Sequence, residues 1–227
     1  MKERISCFDI DGTLSKGLLF IPLVKSEHES GHLSREAFIQ INELLAAYKS
    51  GDLEYEDAVE KLLQAHARGL QGKMHQDLKT HAERFLEANE KELFHKFGTD
   101  VIQILKAEHR LFVVTAEPQY VAEAVADMYS IHGRISSIYA ELDGRFTGEI
   151  ERSLAHRASK AFLLQDYDIE YAFGDSEGDI DMLGSAKYSY AISPTVGLEN
   201  VAKEQNWQVF NGNDTKGIVE NIKKILA

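Results

Sequence analysis

The segment Phe8-Asp9-Ile10-Asp11-Gly12-Thr13 sets two carboxylates two residues apart, directly ahead of a glycine and a hydroxyl. Thr115 closes the apolar run Leu111-Phe112-Val113-Val114, and Gly174-Asp175-Ser176-Glu177-Gly178-Asp179 follows Tyr171-Ala172-Phe173. Lys160, shortly before that last run, is the nearby cation. In a parallel α/β sheet, ligands bind at the carboxyl ends of the strands. If one sheet gathers these residues, each close pair of carboxylates repels by about 4 kcal/mol at an effective dielectric of 20. Lys160 offsets part of that repulsion. A hard divalent ion with oxygen ligands, Mg²⁺, would offset the rest. Such a site suits a phosphoryl group, whose oxygens can bridge the metal, the lysine and backbone N–H groups near Gly12. A carboxylate there can also attack phosphorus and form an aspartyl-phosphate.

The elements that must position these residues are readable from pattern. Arg4 to Ile10 is a short apolar strand ended by the turn signal Asp11-Gly12. Residues 34–91 read as helices only. Ser34 caps a run through Ala37, Ile41, Leu44 and Tyr48 that stops at Gly51-Asp52, and two further apolar stripes follow. From Thr99 onward helices and strands alternate, with Pro118 in the first turn of one helix and an Asp143-Gly144 hairpin. The alternation predicts a parallel sheet covered on both faces. The expected fold is therefore α/β: a Rossmann-like three-layer core from 1–14 and 92–227, with a small all-helical cap, 15–91, inserted after the first strand. In that arrangement Lys16, Lys25, Arg35 and Arg68 are candidate cap contacts to a substrate.

Asp9-Ile10-Asp11-Gly12-Thr13-Leu14 resembles the first motif of the haloacid dehalogenase superfamily. Thr115 resembles its second motif, Lys160 its third, and Gly174 to Asp179 its fourth, in the right order. The helical insert, Leu111 to Ala116 and Asp143 to Gly148 are similar to the phosphoserine phosphatase-like subgroup, most of all to a bacterial branch with histidinol-phosphatase-like members. The resemblance implies a phosphoric monoester hydrolase acting on a small phosphorylated metabolite. Asp9 would be the nucleophile, and Asp11 would protonate the departing alkoxide and later activate water. Gly12, Thr13, Thr115 and Lys160 would bind phosphate. Mg²⁺ would be held by Asp9, the Asp11 backbone carbonyl and Asp175, with Asp179 in support. Asp11 favours phosphatases over true dehalogenases, which lack an acid there. Phosphoserine phosphatases usually carry a glutamate soon after the first motif; Leu14 to Leu19 has no acid, which counts against phosphoserine. Gly178 stands where an Asn is common.

Plainer readings exist for each residue. Asp-x-Asp-Gly can be an ordinary turn, Thr115 and Asp179 can be helix caps, and Lys160 can be a solvated helix lysine. A phosphotransferase or a receiver-like phosphoaspartate protein would use a similar pocket. His28-Glu29-Ser30-Gly31-His32 spells the zinc-protease signature, but Ser30-Gly31 disfavours the helix that chemistry needs, so a polar loop is expected. His66, His75, His81, His95 and His109 are expected to be solvated. A formal charge of −12 argues against nucleic acid as a partner. A lone cysteine suits a cytoplasmic setting, and neither a membrane span nor a signal peptide is evident.

Overall fold

A computed structural model describes residues 3–226. The chain opens with β1 (Glu3–Phe8) and an irregular turn, Ile10–Leu14. Four helices follow: α1 (Phe20–Glu29), α2 (Arg35–Ser50), α3 (Tyr55–Gly69) and α4 (His75–Leu93). Next come α5 (Lys96–Leu105), β2 (Arg110–Pro118), α6 (Gln119–Tyr129), and the hairpin strands β3 (Gly133–Leu142) and β4 (Arg145–Arg152). The rest is α7 (Arg157–Leu164), β5 (Tyr167–Gly174), α8 (Ile180–Gly184), β6 (Tyr188–Ile192), α9 (Val196–Glu204), β7 (Gln208–Phe210) and α10 (Thr215–Leu226).

Among the described residues the strands form one seven-stranded sheet, ordered β4-β3-β2-β1-β5-β6-β7. All neighbours are parallel except the β3–β4 hairpin. Its turn uses Asp143 and Gly144, both at positive φ (52° and 73°), as a tight Asp-Gly turn requires. Successive side chains of a strand face opposite ways, and here they feed two cores. Phe8, Val113, Phe173 and Tyr190 pack on one face, with the Phe8 and Phe173 rings stacked 4.5 Å apart. Cys7, Phe112, Val114 and Ala172 pack on the other. Burial on both faces explains why these strands read as unbroken apolar runs.

Ser34 caps α2 by accepting from the Ala37 N–H at 3.2 Å, and Gly51 ends it at φ 82°. The segments entering and leaving the four helices lie side by side: Ser15 bridges Phe94, and Lys16 N–H donates to Leu93 O at 2.7 Å. No helix among the described residues is long and apolar enough to cross a membrane.

Two expectations need correction. His28 and Glu29 are not in a loop but end α1, which tolerates Pro22 because the first turn needs no intrahelical N–H there. The zinc signature still fails as a site. Gly31 at φ 76° turns the chain away, His28 stacks on Phe38, and His32 Nδ1 pairs with Ser30 Oγ at 2.8 Å. The histidines are also less solvated than expected: His66, His95 and His109 are buried. His66 is held by the Glu27 carboxylate (2.7 Å) and the Tyr139 hydroxyl (3.1 Å), partners from distant elements that sequence spacing does not reveal.

Candidate active site

The sheet order reverses direction at β1, whose neighbours β2 and β5 both come much later in the chain. A crevice forms at the carboxyl ends of strands at such a point, and Asp9 lies there, its N–H bonded to Phe173 O at 3.0 Å. Lys160 reaches in from α7 and donates to Asp9 Oδ1 and Asp179 Oδ1, each at 2.7 Å. Asp179 is the N-cap of α8, yet its carboxylate makes no bond to that helix. Its Oδ2 instead accepts from the N–H groups of Asp175 (3.1 Å) and Ser176 (3.3 Å), which fixes the turn after β5. Asp9, Asp175 and Asp179 offer oxygens that all lie within 4.8 Å of one another.

Gly12 sits at φ 71°, and a Cβ there would stand 2.0 Å from Asp175 Oδ2. Only glycine combines that backbone conformation with that approach. The Gly12 N–H itself is already donated to Gly17 O at 3.1 Å. Thr13 is buried with its hydroxyl unpartnered. Thr115 does not cap α6. Its Oγ accepts from Glu117 N–H at 3.1 Å, leaving the hydroxyl proton available. Asp11 accepts from the Leu19 N–H at 2.5 Å.

The electrostatics follow from burial. Burial first, and then the charge of Asp179, push the Asp9 and Asp175 carboxyls well above the usual range. Burial alone would lower Lys160, but Asp179 and Asp9 carry it well up, so it stays charged. Burial lifts Asp11 to about 6, against the opposing pull of the Leu19 N–H. One lysine thus faces more carboxylates than it can neutralise, and oxygen-only donors at this spacing fit a hard divalent cation.

Two functional candidates escaped the sequence. Glu117, two residues past Thr115, is buried against Asp11, with neither carboxyl oxygen in a hydrogen bond of good geometry. Burial first, then the charge of Asp11, push it well above the usual carboxylate range. Tyr55, at the start of α3, brings its hydroxyl to 3.4 Å from Ser176 Oγ. A Cβ on Gly178 would lie 3.3 Å from that hydroxyl, so the glycine of the fourth motif leaves room for it. By contrast, the expected cap cations are engaged elsewhere: Lys16 with Lys91 O, Lys25 with Glu29, and Arg68 with Gln40, while Arg35 is exposed. The cavity beside Asp11 is lined instead by side chains such as Leu18, Leu45, Val59 and Leu62.

The sequence profile of the haloacid dehalogenase-like hydrolases matches residues 7–184, from within β1 to the end of α8. The chain belongs to that family. Among curated relatives of this haloacid dehalogenase-like hydrolase, phosphoserine phosphatase SerB1 of Mycobacterium tuberculosis is 26% identical over 113 residues, 46% of this chain and 37% of the relative. A histidinol-phosphatase of Neisseria meningitidis is 27% identical over 111 residues, 44% of this chain and 50% of its own. The matched stretch thus spans half or less of those relatives' length. In fold, a Bordetella pertussis protein of unknown function superposes with a TM-score of 0.76 at 23% identity, covering 93% of this chain and all of that one. A phosphoserine phosphatase captured as a phospho-aspartyl intermediate analogue superposes with a TM-score of 0.62 at 16% identity, covering 97% and 99%.

Proposed function

We propose that the chain is a Mg²⁺-dependent phosphomonoester hydrolase working through an aspartyl-phosphate on Asp9. The observation that carries this reading is the Lys160 ammonium, bonded at 2.7 Å to both Asp9 and Asp179 beside a third carboxylate, Asp175. The metal would be held by Asp9, the Asp11 carbonyl and Asp175, and would supply charge neutralisation for phosphate oxygens. Both Asp179 oxygens are already engaged, so its part is to fix Lys160 and the Asp175 turn.

In this reading Lys160 orients the Asp9 carboxylate for in-line attack on phosphorus and, together with the cation, opposes the burial that pushes that carboxyl up. Thr115 donates its free hydroxyl proton to a phosphate oxygen, and the unpartnered Thr13 hydroxyl and Gly12 support the turn that receives it. Asp11 gives its proton to the alkoxide as the P–O bond breaks, and then takes one from the water that cleaves the acyl phosphate. A value of about 6 suits a group that must do both near neutrality. The helices α1 to α4 act as a cap whose closure excludes water from Asp9 while it is phosphorylated.

The test is hydrolysis of p-nitrophenyl phosphate with phosphate release followed directly. Asp9→Asn and EDTA should each abolish it, and Asp11→Asn should lower kcat about 10²–10⁴-fold. Activity surviving Asp9→Asn or EDTA sinks the mechanism. Phosphate delivered to an added alcohol in place of water would make the protein a phosphotransferase.

A further inference from the structure

If Asp11 protonates the leaving oxygen, as proposed above, whatever that oxygen carries must sit in the cavity that opens on Asp11. Its walls come from the helical insert and from Ala116 and Glu117 of β2, and Asp11 and Glu117 are its only formally charged side chains among the described residues. No lysine, arginine or histidine lines it. A substrate carboxylate would therefore be buried against two acids with nothing to pair with, which is strongly unfavourable. An ammonium could meet only Asp11 and the Glu117 carboxyl, whose two oxygens have no hydrogen-bond partner, while the remaining walls offer mainly hydrocarbon.

Size narrows the occupant further. The cavity holds about 100 Å³, between the roughly 30 Å³ share of one water and the roughly 150 Å³ of a site that takes benzene. That is room for a few carbon atoms. Leu18 and Tyr48 on its wall remain 48% and 38% exposed, apolar surface that a bound hydrocarbon would cover.

We propose that the natural substrate is the phosphate monoester of a short apolar alcohol, without a carboxylate, whose hydrocarbon packs against Leu18, Leu45, Val59 and Leu62. The inference rests on the phosphatase reading and adds the substrate class to it. Burial of each methylene stabilises the complex enough to raise kcat/KM about fourfold.

Steady-state kinetics of the full chain with Mg²⁺ on methyl, propyl, butyl and 3-methylbutyl phosphate, beside phosphoserine and phosphoethanolamine, test it. The expected result is a rise of about fourfold per added carbon up to the five-carbon ester, with phosphoserine at least tenfold below butyl phosphate. Leu62→Lys should flatten the series and Leu62→Met should restore it. Should the lysine variant fail to fold, the nearly isosteric Val59→Thr should still reduce the slope. A flat series in the wild-type chain, or a preference for phosphoserine or phosphoethanolamine, overturns the inference while methyl phosphate turnover leaves the phosphatase reading standing. Inactivity on every ester, p-nitrophenyl phosphate included, overturns both.

Discussion

At the scale of single residues, the places of Asp9, Asp11, Thr115, Asp175 and Asp179 were legible because each follows or closes the apolar run of a strand. Lys160, inside α7, stood out only as the nearby cation. Glu117 was not legible. It stands two residues beyond Thr115, ahead of a proline, and nothing in Thr115-Ala116-Glu117-Pro118 says that β2 runs on to bury it against Asp11. Its burial has a stability consequence. A carboxyl whose folded value is raised is matched below its ordinary value of 4.5, where both states are protonated, and is destabilising as pH climbs from there towards the folded value. Glu117→Gln should therefore melt higher than the wild type at pH 7 to 8 in EDTA, with the gap shrinking towards pH 4. A gap independent of pH in thermal melts would mean that Glu117 is not held protonated in the folded chain.

At the scale of elements, helices and strands from Thr99 onward followed from periodicity and turn chemistry, since each is set by local pattern. The helix α1 did not, because Gly17 and Pro22 look like interruptions; yet Pro22 falls in the first turn, where it costs nothing. The Ser34 cap was readable and carries a magnitude. Ser34→Ala should cost about 1 kcal/mol, a drop in Tm of about 2–4 °C for a chain of this size by calorimetry. The turn at Ile10–Leu14 makes a sharper claim. Gly12→Ala forces a left-handed conformation on alanine, at about 1–2 kcal/mol, and drives a methyl into the Asp175 carboxylate. Mg²⁺ should raise the Tm of the wild type but not of Gly12→Ala. An equal Mg²⁺ shift in both would show that Asp175 has no part in the cation site.

At the scale of the whole molecule, side-chain ties between the helical insert and the sheet were invisible in sequence, because their partners lie far apart in the chain. Glu27 of α1 joins His66 of α3 and Tyr120 of α6, and His75 of α4 pairs with Glu141 of β3 (2.7 Å) and Glu123 of α6 (2.9 Å). Hydrogen bonding to Glu123, and then to Glu141, raises His75 above its ordinary 6.5. A raised histidine stabilises fully below the unfolded value, and that contribution is lost as pH rises through the folded one. The Tm difference between the wild type and His75→Gln should accordingly be largest below about pH 6 and close on the alkaline side. A difference that grew with pH would reverse the assignment.

The central place of β1 also has a consequence in time. The strand that leads into Asp9 is made well before its two neighbours, β2 and β5, which begin only at Arg110 and Tyr167. Contacts of such long sequence separation form slowly, so a nascent chain must hold an apolar strand unpaired until β2 and β5 have been made. Chains that stop translating before Asp175 would carry an intact first motif and no cation site. Synthesis, and not only folding, therefore guards the carboxylate cluster from assembling early.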